Sequence, residues 1–171
     1  MPATKNPRQI YCLLICLFCG ASLAYAQSDN PSTSFPRVSL PNTELRLIHS
    51  EVVDDDYQLY VALPSSYVSD TMKTYPVLYV VDANFGFAAI TQMYRGFILS
   101  GEVSEMILVG IGYPTDSLGE FFERRNAELV PERPGQEFMR VILEEIIPFV
   151  EAEYRTSGAR AFGGYSRGGL F

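Results

Sequence analysis

Two stretches of this chain, residues 76–81 (Pro-Val-Leu-Tyr-Val-Val) and 106–111 (Met-Ile-Leu-Val-Gly-Ile), are apolar on both faces. A strand with one face in water alternates apolar and polar residues. A run without alternation predicts a strand covered on both sides, as in the middle of a parallel sheet. Parallel neighbours need a long crossover, usually a helix. Residues 85–99 lie between the two runs and have the length and apolar content of such a helix. This unit commits the chain to the α/β class.

The flanking sequence extends the pattern. Leu45, Leu47 and His49 alternate with Arg46, Ile48 and Ser50, which predicts a first strand. Residues 57–63 predict a second, with Tyr57, Leu59 and Val61 on one face. Asp54, Asp55 and Asp56 make a polar turn between them, so the pair reads as a hairpin. Three adjacent carboxylates could suggest calcium, but no ligand spacing of the EF-hand kind follows, and no metal is expected. Phe138, Ile142, Ile146, Phe149 and Val150 recur at helical spacing and predict a helix over 136–154. Pro148 lacks a donor and predicts a kink or an early end there. Residues 159–165 predict a fifth strand.

The first 26 residues are set apart. Lys5 and Arg8 precede an apolar run over 10–18, and Ala24-Tyr25-Ala26 supplies the small residues of a cleavage site. That is the layout of a secretory signal peptide, which implies a periplasmic or secreted protein. The run is short for a bilayer span of about 20 residues, which disfavours a retained anchor. Phe18 before Cys19 disfavours a lipoprotein site. Cys12, Cys16 and Cys19 all lie in this segment, so cleavage leaves neither a disulfide nor a thiol nucleophile. It also leaves 11 basic against 20 acidic residues, a net charge of −9. Nucleic acid is therefore excluded as a partner, because its binding rests on neutralising phosphates. Residues 27–42 read as a flexible leader and 43–171 as the folded domain.

Chemistry concentrates in Gly164-Tyr165-Ser166-Arg167-Gly168, a G-x-S-x-G sequence after the fifth predicted strand. Such a serine must stand on a sharp strand-to-helix turn with its hydroxyl clear of the sheet. Glycines two residues to either side are expected because a Cβ there would strike the neighbouring strand or helix. The plainer alternative is a glycine-rich turn in which Ser166 only caps a helix.

Residues 56–64, 75–82, 109–114, 146–149, 154–156 and 163–171 extend the motif into a longer pattern. Over these segments, in the same order, the chain resembles the putative-esterase family of α/β-hydrolases. That family includes esterase D-type enzymes, siderophore esterases and mycolyltransferases, and the likeness leans toward the bacterial siderophore-esterase group. The resemblance implies the N-terminal portion of an α/β-hydrolase fold, about five strands in the order 1-2-4-3-5. It implies a small-molecule ester substrate, no cofactor, and Ser166 as a nucleophile activated by a histidine. It further implies an oxyanion held by the backbone N–H of Arg167 and by one from the loop after the third strand, for which Asn84 is the choice. Arg167 departs from the apolar residue often seen after this serine, but only its backbone is required. Asp82 either shapes that loop or is simply a polar residue ending the strand. Arg125, Glu128 and Pro131 match positions where such esterases carry an Arg, an Asp and a Pro in a loop. An ion pair between Arg125 and Glu128 is expected.

The resemblance also implies a missing base. The family's acid and histidine follow the nucleophile, and the one histidine of this chain is His49. With the first strand four places from the fifth, at about 4.8 Å per place, His49 would be roughly 19 Å away. A working base must come within about 3.2 Å. Domains of this class run to about 200–250 residues, so the sequence reads as a C-terminally truncated esterase whose fifth strand lacks its outer neighbours. The alternative is a non-catalytic relic or binding module of the same fold.

Overall fold

A computed structural model describes residues 38–171. The export segment expected over 1–26, and the leader as far as residue 37, lie outside the described residues. The chain then forms β1 (Thr43–Ser50), β2 (Asp55–Ala62), β3 (Tyr75–Val80), α1 (Ala83–Leu99) and β4 (Ile107–Gly112). After these come α2 (Leu118–Glu128), α3 (Arg133–Arg140), a π-helical stretch (Val141–Ile146), α4 (Ile147–Glu153), β5 (Thr156–Gly163) and α5 (Arg167–Leu170). One sheet holds all five strands in the order β1-β2-β4-β3-β5. β1, β2 and β4 pair antiparallel, while β3 runs parallel to both β4 and β5.

The two unbroken apolar runs are the inner strands β3 and β4. All six residues of β4 are buried, because both faces of the sheet are covered there. One face carries Tyr57, Leu59, Val61, Val77, Tyr79, Ile107, Val109 and Ile111 against Phe138, Val141, Ile142, Ile146 and Val150. The other face carries Val80 and Leu108 against Ala83 and Phe87 of α1. Gly110 is what lets α1 come this close, since a Cβ there would stand 2.7 Å from that of Ala83. The Tyr94 hydroxyl donates to the Met106 carbonyl (3.0 Å) and accepts the Met106 N–H, which ties α1 to the start of β4.

Several expectations need correction. The hairpin turn is residues 51–54, and Asp55 and Asp56 already belong to β2. In β1 it is Ile48 and Ser50 that pack inward, whereas Leu45, Leu47 and His49 face outward. β5 ends at Gly163, because Gly164 and Tyr165 are spent on the turn that follows. The long helix neither stops at Pro148 nor breaks there. It runs on to Glu153, with six π-helical residues just upstream and the Ile147 N–H reaching back to the Ile142 carbonyl. Pro148 thus occupies the first turn of α4, where a missing donor and a fixed φ are tolerated. Finally, residues 118–128 form a helix rather than a loop.

Candidate active site

β3 and β5 are parallel neighbours, with Val80 opposite Gly163, so the segments leaving their C-terminal ends lie side by side. The Val81 N–H still donates to the Gly163 carbonyl (3.4 Å). One segment carries Asp82 to Asn84; the other carries Tyr165 to Arg167.

Ser166 has φ 55° and ψ −118°, a left-handed strain unusual for a residue with a side chain, and it is exposed. Its glycine neighbours behave as the motif requires. A Cβ on Gly164 would run into the Gly168 backbone, and one on Gly168 into Cγ2 of Val81. The turn closes through Gly168 N–H to the Tyr165 carbonyl (3.0 Å) and Gly169 N–H to the Ser166 carbonyl (2.9 Å). Arg167 opens α5, so its N–H has no carbonyl behind it within the helix. The Arg167 side chain leans away, with Nη1 donating to the Asn126 carbonyl (3.4 Å).

On the other segment Asp82 is also left-handed, at φ 63° and ψ 30°, and precedes α1. Its carbonyl takes the N–H groups of Phe85 (3.3 Å) and Gly86 (3.0 Å), which leaves those of Ala83 and Asn84 as the unpaired first donors of the helix. The Asn84 side chain is fully occupied elsewhere. Nδ2 donates to the Tyr113 carbonyl (2.7 Å) and Oδ1 accepts the Tyr113 N–H (2.9 Å), so it fastens α1 to the exit of β4. Any role of Asn84 toward a ligand at Ser166 must therefore come from its backbone.

The expected ion pair between Arg125 and Glu128 does not form. Both residues sit on α2 but point to different partners. Arg125 grips Asp82 with two bonds, Nε to Oδ1 at 2.6 Å and Nη2 to Oδ2 at 2.9 Å. The same Nη2 reaches the Tyr165 carbonyl at 3.4 Å. Hydrogen bonding to Asp82 holds the guanidinium above the usual arginine range. Glu128 is buried and accepts the hydroxyls of Tyr57 (3.0 Å) and Tyr113 (2.9 Å). Burial pushes its carboxyl up, and pushes both tyrosines up as well. Arg124 lies over the rings of Tyr113 (4.4 Å) and Tyr57 (5.0 Å), so this cluster anchors α2 to the sheet. The reading of Asp82 as a shaper of its loop is the one that this geometry supports.

His49 is far from this place. It lies on β1, the strand at the opposite edge from β5, with Nδ1 2.9 Å from Asp56 and Nε2 3.4 Å from Asp54. The hydrogen bond to Asp56 raises its pKa above the ordinary histidine value.

Beside Ser166 opens a cavity of about 750 Å³, walled mainly by Leu129, Val130, Pro131, Met139, Leu170 and Phe171. Its size and apolar walls suit a small organic ligand. Pro131 thus lines the site as expected, although Arg125 and Glu128 do not.

The comparisons agree with this architecture. The family profile described as putative esterase matches residues 50–171. The ferri-bacillibactin esterase BesA of Bacillus subtilis (strain 168) is 30% identical, over 78% of this chain and 52% of that protein. The chain therefore spans about half the length of the curated relative it matches. Among solved structures, the BES protein of Bacillus cereus superposes with a TM-score of 0.67 at 25% identity, covering 81% of this chain and 57% of that one. The siderophore hydrolase EstA of Aspergillus nidulans gives 0.64 at 28% identity, covering 80% and 54%. The sheet is that of an α/β-hydrolase, of which these residues form part.

Proposed function

The chain belongs to the putative-esterase family, and from that premise we propose that it is the serine-presenting part of a carboxylic ester hydrolase working through an acyl-enzyme. The observation that carries this reading is the backbone of Ser166, left-handed at a strand-to-helix turn and exposed beside a cavity. No fold keeps a serine in that geometry without compensation, and such strain collects at functional sites.

In this reading Ser166 Oγ attacks the ester carbonyl while a histidine takes its proton, and the alcohol leaves with a proton returned by that histidine. The N–H groups of Arg167 and Asn84 receive the negative charge that develops on the carbonyl oxygen. Both are first-turn donors that no helical carbonyl claims. The substrate is a small-molecule ester. The names of the BesA and EstA relatives make a siderophore ester the first natural substrate to test. The segment 1–26 supports export to the periplasm or beyond.

The base must come from polypeptide outside this sequence, since His49 is its one histidine and stands at the far edge of the sheet. That observation favours a second reading for residues 1–171 taken alone, a non-catalytic product of the same fold. The test is turnover of p-nitrophenyl acetate by the intact polypeptide and by its Ser166→Ala variant. We expect turnover that falls by about 10³-fold or more in the variant. An inactive intact protein, or one indifferent to Ser166→Ala, overturns the proposal. Residues 1–171 expressed alone should show no Ser166-dependent turnover.

A further inference from the structure

The strained residues Asp82 and Ser166 end neighbouring strands, and one guanidinium spans the two segments that carry them. Arg125 holds the Asp82 carboxylate through two bonds and touches the carbonyl of Tyr165, the residue just before the serine. Each anchor stands two residues ahead of a proposed oxyanion donor: Asp82 before Asn84, and Tyr165 before Arg167. We propose that Arg125 and Asp82 are positioning residues, a clamp that sets the spacing between the two backbone N–H groups receiving the oxyanion. This deepens the serine-esterase reading and rests on it.

Three observations give the clamp its force. First, a left-handed Asp82 is locally unfavourable, so something outside the backbone must hold it. A planar fork on a carboxylate fixes orientation as well as distance, which a lysine cannot do. Second, the Arg125 side chain is only 13% exposed, so water competes weakly for its bonds. Third, α2 is itself pinned. Arg124 and Glu128 bind the Tyr57 and Tyr113 side of the sheet, which leaves Arg125 turned toward the turn at Ser166. Oxyanion donors act only within about 2.7–3.1 Å of the developing charge. A misplacement of about 1 Å can cost on the order of 100-fold in rate. A clamp that moves neither Oγ nor the substrate can therefore govern kcat.

The experiment uses the intact polypeptide with p-nitrophenyl acetate as substrate and a trifluoromethyl ketone as the tetrahedral mimic. Arg125→Gln should lower kcat by about 10- to 100-fold with KM within about twofold, and weaken the ketone by the same factor as kcat. Arg125→Lys keeps the charge without the fork and should restore only part of the loss. Asp82→Asn should fall between wild type and Arg125→Gln. Glu105→Gln, which opens an ion pair at the opposite end of the sheet, should lower thermal stability and leave kcat and ketone affinity alone. If Arg125→Gln does not fold, Arg125→Lys and Asp82→Asn decide the matter.

Two results overturn the clamp alone: kcat within about twofold of wild type in the Arg125 and Asp82 variants, or a loss confined to KM. Either leaves the serine reading intact so long as Ser166→Ala abolishes turnover. Full turnover in Ser166→Ala would instead remove that reading, and the clamp with it.

Discussion

The parallel strands begin and end in different ways. Where β3 and β4 begin, the chain is fastened by ordinary means. Glu105 takes Lys73 at 2.7 Å and the Ser65 and Ser66 hydroxyls, and the Tyr94 hydroxyl bridges the Met106 backbone. Positive φ near this end falls to glycines, Gly101 and Gly158. Where β3 and β5 finish, positive φ is carried by Asp82 and Ser166, which have side chains to accommodate. One end places glycine where the backbone must bend backwards. The other accepts strain in order to aim a carboxylate and a hydroxyl. The contrast separates what holds the domain from what the domain does.

That separation can be broken by substitution at either end. Ile107 is fully buried at the start of β4, and Ile107→Ala should cost about 2–5 kcal/mol by urea unfolding of the intact protein. Turnover per folded molecule should not change; a matching fall in kcat would show that the two ends are coupled. Gly168→Ala should act the other way. Its new Cβ presses on Val81 next to Asp82, so kcat should drop on the order of 100-fold. The accompanying stability loss should be about 1–3 kcal/mol, and an unaffected kcat would show that the turn tolerates slack.

The third effect is smaller and depends on pH. Lys73 first, then Ser66, hold the Glu105 carboxyl down to about 2. A depressed carboxyl contributes stability that is present above its ordinary value near 4.5 and is lost as pH falls toward 2. Glu105→Gln should therefore lower the melting temperature at pH 7 and leave less difference from wild type as pH falls through that window. A constant difference across the window would show that the ion pair does not produce the effect.

Much of the fold was legible because burial on two faces leaves an unmistakable pattern. β3, β4 and α1 stand close to where the sequence puts them, since no other element explains unbroken apolar runs flanking a helix-length segment. The turn at Ser166 was legible for a steric reason: its glycines mark where no Cβ fits. The helix α2 was missed because Phe121 is its one buried residue, so it writes almost no apolar stripe. A signal was present in Ser117 and Glu120, a cap three residues before an acid, and the Ser117 hydroxyl accepts the Glu120 N–H at 3.4 Å. The Arg125 partnership had no such signal. Asp82 and Arg125 are 43 residues apart, and only the pairing of β3 with β5 and the lie of α2 decide that they meet. Glu128 looked like the nearer partner, but two tyrosine hydroxyls claim it.

The π-helical stretch before α4 has a consequence for how this chain tolerates length changes. Each π turn holds one residue more than an α turn closing the same height, so six such residues carry slack in the numbering. Removing one residue between 141 and 146 would let the ladder close as plain α-helix without shortening its reach. It would also turn everything downstream by about 100°, trading Val150 for a neighbouring glutamate on the face that meets the sheet. The stretch is therefore a phase adjuster: it sets which side of α4 looks inward, and through α4 the angle at which β5 enters to deliver its serine.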